Sequence, residues 1–185
     1  MVHRARDASD AVRVILDIVT RSGSKLVVKG KSMASEEIHL NAALEGEGIA
    51  VVETDLGEFI IQLAHETPSH IIVPAIHRNR FDVADLFSAD AGYPVAPVVE
   101  DEATYARQRL RDAFLAADVG ITGVNFAIAD TGSICLVENE GNGRMCSSLP
   151  RVHIAVMGME RIVRLGCLRA PVPLLSRSSL SLHTR

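Results

Sequence analysis

Short apolar runs alternate with amphipathic segments along most of this chain, and this alternation restricts its fold more than any other feature. The apolar runs predict strands over residues 25–29, 49–53 and 70–75. The amphipathic segments predict helices over residues 9–20, from a Ser35 N-cap to Gly46 or Gly48, and over 56–65, 79–87 and 102–117. Strands that alternate with helices through short connections form a parallel sheet with helices on both faces. We therefore expect one three-layer α/β domain.

Composition sets further limits. Of the 185 residues, 48% are hydrophobic and 23% are charged, so the chain can bury a sizeable core without metals or disulfides. No apolar run reaches the roughly 18 residues that a membrane span needs. The net charge of −4, with five phenylalanines, two tyrosines and no tryptophan, argues against nucleic-acid binding. Three cysteines without disulfide-like spacing, and no signal peptide, predict a reducing cytoplasm.

Residues 120–158 hold the densest mixture of glycines, asparagines and carboxylates between apolar runs. Two buried strands are predicted there, over residues 124–130 and 133–138, joined by a tight turn at residues 130–132. A third apolar run opens at His153, which either lines a site or makes a structural hydrogen bond. Polar loops between buried strands are typical places for ligand binding.

The loop at residues 139–144, NEGNGR, follows the second of these strands. Gly141 and Gly143 allow positive φ and close backbone approach, and Asn142 tolerates the left-handed region, so their N–H groups can face one anion. Arg144 offers a bidentate clamp on the same anion. The alternative is that the loop is only a turn between two elements.

The ends of the predicted strands point to one site. In a parallel α/β sheet, ligands bind beyond the carboxyl ends of the strands. This rule selects residues 30–37, 53–58 and 74–80, together with the loop that follows Glu138. We expect these four segments to meet at one edge of the sheet.

Several side chains in these segments have chemistry suited to a site. Lys31 and Ser32 precede a predicted helix, whose free N–H groups and dipole favour an anion. Glu37 either helps to cap this helix or contacts a ligand. Asp55 is either the N-cap of the next helix or a ligand for a hydroxyl group or cation. His77 is either a solvated loop residue or an acid, base or ligand, because imidazole titrates near neutral pH.

Long ungapped motifs carry a resemblance to a known family. They are KSMASEEIHLNAALE at residues 31–45, VVETDLGEFIIQLA at 51–64, FLAADVGITG at 114–123, and the segment 120–158. Together they resemble the LUD domain over residues 3–163. More narrowly, they resemble the N-terminal region of the iron–sulfur subunit of the bacterial L-lactate utilisation system.

The resemblance implies a fold similar to ribose-phosphate isomerases, glucosamine-phosphate deaminases and CoA transferases. It implies 4Fe–4S clusters in cysteine-rich segments of full-length relatives, with the other subunits of a lactate-oxidising complex and a small organic acid or anion as partners. The candidate ligand-binding residues at its motifs are Lys31, Ser32, Glu37, Asp55, Gly123, Asn125, Thr131, Gly132, Asn139, Gly141, Asn142, Gly143 and Arg144. The candidate catalytic residues are Glu138, Glu140 and His77.

The chain departs from this family in its cysteines and in its last residues. Clusters need spacings such as C-x₂-C-x₂-C-x₃-C-P, whereas Cys135, Cys146 and Cys167 stand far apart, so we expect no cofactor in this chain. Cys135 is predicted to be a small buried hydrophobe and Cys146 a partly exposed thiol. Residues 1–163 carry 15 basic and 23 acidic residues, but residues 164–185 carry four arginines and no acid.

This basic tail, which contains Pro171 and Pro173, has no helical periodicity. We expect an incomplete LUD domain followed by an atypical tail, produced by a frameshifted or truncated reading frame or by an unusual natural sequence. An intact genomic frame that encodes the same tail would contradict the frameshift.

Three functions are compatible with these observations. The chain is the LUD portion of a lactate-oxidising iron–sulfur complex, or a stand-alone transferase or isomerase, or a non-catalytic interaction module or remnant. The second hypothesis rests on VENEGNG, which resembles the glutamate loop of CoA transferases and offers Glu138 or Glu140 as a nucleophile beside a backbone loop.

Overall fold

A four-stranded parallel sheet lies at the centre of the computed structural model, which describes residues 1–70 and 73–164. The strands are β1 (Leu26–Lys29), β2 (Ala50–Glu53), β3 (Val119–Gly123) and β6 (Val152–Val156), in the spatial order β2-β1-β3-β6. Val27 of β1 pairs with Val51 on one side and with Val119 on the other. Because every pairing in this sheet is parallel, the four carboxyl ends meet at one edge.

Helices flank both faces of the sheet. In the described part of the chain they are α1 (Ala8–Ser22), α2 (Met33–Glu37), α3 (Leu40–Gly46), α4 (Leu56–Leu63), α5 (Arg80–Ala91), α6 (Val99–Ala116) and α7 (Asn142–Ser148). Val27 packs with α1 and α3, whereas the next residue, Val28, points to the other face and packs with α6 and α7. The predicted three-layer α/β architecture is therefore confirmed. The specific isomerase- or transferase-like fold stays a prediction.

The helix ends follow local side-chain chemistry. The carboxylate of Asp7 accepts a hydrogen bond of 2.8 Å from the N–H of Asp10, and Gly23, at φ 73°, ends α1. Asn79 begins α5 with a capping box, in which its side chain accepts from the N–H of Asp82 and the Asp82 carboxylate accepts from the N–H of Asn79. Both starts lie within two residues of the predicted ones.

Replacing Asn79 by alanine removes this cap, so we expect Asn79→Ala to lower the free energy of unfolding by about 1 kcal/mol. Asn79→Asp keeps an acceptor at the same place and is expected to stay near the original stability. Urea unfolding followed by circular dichroism measures both. Equal stability of Asn79→Ala and the original chain would show that the box contributes nothing.

The prediction of a single second helix with Ser35 as its N-cap is wrong. The segment forms two short helices, α2 and α3, separated by His39 in the left-handed conformation at φ 52°. The cap of α2 is Ser32, whose Oγ accepts from the N–H of Ser35 at 3.3 Å. A non-glycine residue in this conformation has no reliable signal in the sequence, which is why the break is invisible there.

Two elements at the centre of the fold have no counterpart in the predictions. Gly120 and Gly123 in β3 weaken its strand signal, yet β3 is the buried strand between β1 and β6. A glycine is required at 120 because α7 packs closely there: a Cβ would lie 1.9 Å from the carbonyl oxygen of Cys146. The helix α7 itself starts inside the predicted loop.

Two other predictions change in extent. The predicted strand over residues 70–75 falls partly on residues 71–72, which lie outside the described residues, and Pro74 and Ala75 lie in a turn. The helix predicted to reach residue 65 ends earlier, at Leu63. The basic tail, apart from Arg164, also lies outside the described residues.

A second, small sheet adjoins the first. It contains β4 (Phe126–Ile128), β5 (Ser133–Cys135) and β7 (Ile162–Val163), in the order β5-β4-β7. β4 and β5 form the predicted hairpin, whose turn contains Gly132 at φ 68°. The prediction that both are long buried strands is wrong: each has three residues, and Ser133 and Ile134 are exposed.

Candidate functional site

An open cleft of about 620 Å³ lies at the carboxyl edge of the main sheet. Loops that follow β1, β2, β3, β5 and β6 line it, so the strand-end rule locates the cleft. The predicted site residues along its wall are Lys31, Ser32, Glu37, Asp55, Gly123, Asn125, Glu138, Asn139, Asn142 and Gly143. The structure therefore brings most of the candidates together, while their individual roles stay predictions.

Lys31 provides a cationic group at the cleft wall. Its Nζ lies 3.0 Å from Oε1 of Glu58, and the Glu58 side chain is almost buried. Among the described residues, however, this ammonium group has no partner with hydrogen-bond geometry. Its N–H donors are therefore not satisfied within the described residues, although the Nζ atom itself is buried.

Beneath Lys31 lies a fully buried ion pair between neighbouring strands. Nζ of Lys29, whose residue is 1% exposed, is 2.9 Å from Oε1 of Glu53 and donates to Oγ of Ser35 at 3.3 Å. The side chain of Asn41 donates to the same carboxylate at 2.6 Å, while Oε2 of Glu53 has no partner among the described residues. Burial raises the pKa of Glu53, and the charge of Lys29 opposes this.

The carboxylate of Glu138 is already occupied by Arg144. Its Oε2 accepts from the backbone N–H of Arg144 at 2.7 Å and its Oε1 from Nε at 3.1 Å. Arg144 is thus paired with Glu138 at the start of α7 and is absent from the cleft wall. Gly141, at φ 81°, forms the N-cap position of this helix. The nucleophile hypothesis for Glu138 stays a prediction, but both of its oxygens already hold hydrogen bonds.

Glu140 takes over the capping role that the sequence suggests for Asp55. Asp55 occupies the N-cap position of α4 without a side-chain cap, and Oε2 of Glu140 accepts from the N–H of Leu56 at 3.3 Å. Partial burial of its carboxyl group, and secondly the charge of Asp55, raise the pKa of Glu140. The Asp55 carboxylate, which lines the cleft, is thereby left without a capping bond.

Other candidates lie away from the cleft wall. His77 is held between Ser69, at 2.8 Å from Nδ1, and Glu66, at 2.8 Å from Nε2. Thr131 and Gly132 lie in the exposed turn of the β4–β5 hairpin. These positions separate all three residues from the cleft lining.

His153 lies behind the cleft wall. Its Nε2 is 2.8 Å from Oγ1 of Thr122, a residue that does line the cleft. Burial lowers the pKa of His153. This placement fits the structural hydrogen bond, one of the two alternatives that the sequence leaves open.

The expected environments of two cysteines are reversed. Cys146, predicted to be partly exposed, is fully buried with its Sγ 3.4 Å from Oγ1 of Thr54, whereas Cys135, predicted to be buried, is half-buried at the edge of the small sheet. β5 has two exposed residues before Cys135, and none of its side chains belongs to the described hydrophobic clusters of the domain. Cys167 lies outside the described residues.

Burial raises the pKa of the Cys146 thiol to about 11, so little thiolate exists at pH 8. We expect iodoacetamide to label Cys146 far more slowly than Cys135 in the folded chain, and at similar rates in urea. Mass spectrometry of digested samples measures both rates. Equal labelling rates in the folded chain would contradict this burial.

The sequence matches the LUD domain family over residues 1–165. The chain belongs to the LUD-domain family. Among the curated proteins similar to this LUD domain is the "Uncharacterized electron transport protein YkgF" of Escherichia coli K12, 52% identical over 161 residues, which cover 87% of this chain and 34% of that protein. A "Lactate utilization protein B" from Bacillus subtilis 168 is 52% identical over 163 residues, covering 88% and 34%.

The corresponding protein of Lysinibacillus sphaericus C3-41 is also 52% identical, over 160 residues, with coverage of 86% and 34%. The chain thus spans about a third of the length of the curated relatives that it matches. No solved structure matches it.

The cleft of this LUD domain includes residues that the sequence analysis missed. They are Thr122 on the main sheet, and Met157, Glu160 and Arg161 after β6. The strand-end rule contains the signal for the last three, because MGMER follows an apolar run directly.

The described residues contain neither a metal-binding cluster nor a membrane-spanning helix. No group of three or more His, Cys, Asp or Glu side chains is placed there to hold a metal ion. Likewise, none of the helices in residues 1–70 and 73–164 combines the length and apolar character needed to cross a bilayer.

Proposed function

We propose that this LUD domain belongs to an L-lactate-oxidising system and that its cleft binds a small 2-hydroxy acid. The proposal rests on the Lys31 side chain at the cleft wall. Its Nζ atom lies 3.0 Å from Oε1 of Glu58, yet it has no partner with hydrogen-bond geometry among the described residues. Identity of 52% to lactate utilization protein B over nearly the whole chain supports the lactate class.

The charges around the cleft suit such a ligand. Lys31 offers donors to a carboxylate, and a nearby acceptor is needed for the hydroxyl group. Among the acidic residues on the wall, Glu138 is paired with Arg144, Glu160 lies 3.5 Å from Arg161, and Glu37 is exposed at the end of α2, whereas Asp55 is half-buried and has lost its capping role to Glu140. Asp55 is therefore our candidate acceptor for the hydroxyl.

The size of the cleft indicates that a three-carbon acid fills only part of it. Cavities of about 300–1,000 Å³ hold drug-sized ligands, and the cleft has about 620 Å³. Space remains for a second group, such as a redox partner supplied by another part of the system.

The described cysteines do not fit an iron–sulfur cluster. Cys146 is buried against Thr54, and Cys135 lies on the small sheet, whereas a 4Fe–4S cluster needs four thiolates. We therefore assign binding and orientation of the acid to this domain. We assign the expected clusters to polypeptide outside this chain, and we propose the other subunits of the complex as its partners.

A chimera tests this proposal. Residues 1–164 replace the matched region of Bacillus subtilis lactate utilization protein B, and the chimera is expressed in a strain that lacks the native protein. We expect growth on L-lactate, loss of growth with Lys31→Ala at equal protein level, and retained growth with Lys25→Ala. Lys25 is exposed and precedes β1, at the opposite edge of the sheet.

Failure of a folded chimera to support growth would contradict the proposal. Growth that survives Lys31→Ala would place the relevant site somewhere other than this cleft. Thermal unfolding of the purified chimera establishes that it is folded before either conclusion is drawn.

A further inference from the structure

Three large apolar side chains on the cleft wall are open to solvent. They are Met33 after β1, Val137 after β5 and Met157 after β6, and they are 39%, 40% and 37% exposed. None of them belongs to the described hydrophobic clusters of the domain. Exposed apolar side chains inside a concave site are typical of a place where an apolar part of a ligand binds. We call Met33, Val137 and Met157 the apolar wall.

The end of β3 brings the two methionines to the same side of the cleft. Ser32, which precedes Met33, packs on Gly123, the last residue of β3: a Cβ added at Gly123 would lie 2.9 Å from Oγ of Ser32. Gly123 is also the register partner of Val156, which directly precedes Met157. Both methionines therefore extend from residues that adjoin one strand end.

Val137 joins this side of the cleft through a hydrogen bond. Its N–H donates to Oδ1 of Asn125, two residues beyond β3, at 2.8 Å. The charged residues that line the cleft after β6, Glu160 and Arg161, lie 3.5 Å apart, and their side chains are 71% and 51% exposed. A ligand group at the ends of β3 and β6 thus meets apolar side chains, with an ion pair on the solvent side.

The charged candidates for the acid lie at the other side of the cleft. Lys31 and Asp55 follow β1 and β2, and Nζ of Lys31 is 3.0 Å from Glu58 on α4, the helix after β2. In the order β2-β1-β3-β6, β1 is one strand from β3 and two from β6, or about 5–10 Å at the usual spacing. The methyl carbon of lactate is two bonds, or about 2.5 Å, from its carboxyl carbon. Lactate held at Lys31 therefore leaves the apolar wall uncovered.

We propose that the apolar wall is a subsite for the carbon chain of the bound acid, and that the cleft binds 2-hydroxy acids with a larger apolar substituent more tightly than lactate. Leucic acid, with the side chain of leucine, and phenyllactate are examples. This inference rests on the proposed function, because Lys31 anchors the carboxylate. Each CH₂ group that the subsite buries strengthens binding about fourfold. Methionine side chains also adapt to substituents of different shape.

Calorimetric titration of the 185-residue chain with L-lactate and with L-leucic acid tests the subsite. The chain of leucic acid is longer by three carbon atoms, and we expect it to bind about tenfold or more tightly than L-lactate. Isohexanol has a similar chain without the carboxylate and is expected to bind far more weakly than leucic acid. Equal affinities for the two acids, or for leucic acid and isohexanol, would overturn the inference.

Met157→Gln shows whether the added affinity comes from the apolar wall. The substitution keeps the length of the side chain and makes it polar, so we expect the affinity ratio of leucic acid to L-lactate to fall about threefold or more. The matched control is Met159→Gln, because Met159 is 72% exposed and lies outside the cleft lining. Thermal unfolding establishes that both variants are folded. The same ratio in both variants and the original chain would overturn the inference.

The two acids also separate this inference from the proposed function. If L-lactate binds and Lys31→Ala weakens it, but leucic acid binds no more tightly, the proposed function is retained and the subsite is lost. Binding of neither acid would contradict the proposed function and the subsite together. Tighter binding of leucic acid that Lys31→Ala leaves unchanged would contradict the anchor on which both depend.

Discussion

Lys29→Met is expected to lower the free energy of unfolding by about 3–5 kcal/mol, the largest effect that we predict. The substitution leaves the Glu53 carboxylate buried without its cation, 2.9 Å from where the ammonium group stood. Asn41 remains as a donor to that carboxylate, but a neutral amide does not balance the charge. Urea unfolding of the 185-residue chain measures the loss.

The double variant Lys29→Met with Glu53→Leu is the matched control. It removes both charges while keeping apolar volume between β1 and β2, so it is expected to recover part of the lost stability. The recovery is incomplete because Asn41 and Ser35 each lose a hydrogen-bond partner. A double-mutant cycle then gives a coupling of about 1–3 kcal/mol. A single variant as stable as the original chain would show that the pair is not buried as described.

Gly120→Ala is expected to lower the free energy of unfolding by about 1–3 kcal/mol. The added Cβ would lie 1.9 Å from the carbonyl oxygen of Cys146 and 2.8 Å from its carbonyl carbon, so α7 has to move away from β3. Backbone atoms cannot rotate aside as a flexible side chain can. Because α7 carries Asn142 and Gly143 of the cleft wall, ligand binding should weaken as well.

Gly46→Ala is the control for this second prediction. Gly46 is the last residue of α3, has no positive φ, and has no atom within 4 Å of an added Cβ. We expect Gly46→Ala to be neutral or to stabilise the chain by about 0.4–1 kcal/mol. Similar losses for both glycines would mean that the close approach at Gly120 is not the cause.

The layered fold was predictable because it depends on apolar periodicity. The apolar face of α1 and the runs at β1 and β2 identify these elements, and their alternation predicts a parallel sheet. Apolar periodicity does not predict β3, because two of its five residues are glycines. Only the close packing of α7, a contact between segments distant in sequence, explains why a buried strand tolerates Gly120.

The position of the cleft was predictable for the same reason, but the pairing of its side chains was not. The strand-end rule places Lys31, Asp55 and Asn139 at one edge. It does not reveal that Glu140, from a distant loop, accepts from the N–H of Leu56 and replaces Asp55 as a cap. Such hydrogen bonds between distant segments depend on which loops the strand order of the sheet brings together.

The same limitation explains why the sequence did not reveal how the donors of the predicted anion loop are used. Glycines at 141 and 143 do allow close backbone approach, but the segment begins a helix, and the N–H of Arg144 is taken by Glu138. The Arg144 guanidinium group, which the sequence analysis assigns to the anion, also donates to Glu138, six residues upstream.

Calorimetric titration of the 185-residue chain with L-lactate shows whether the cleft binds the acid and whether Lys31 contributes to that binding. We expect saturable binding to one site, weakened about tenfold or more by Lys31→Ala, because a charge-assisted hydrogen bond contributes about 1.5–3 kcal/mol. Lys25→Ala should bind as the original chain does. Heats no larger than those of dilution, or equal affinities for the Lys31→Ala and original chains, would contradict the claim that this cleft holds the acid through Lys31.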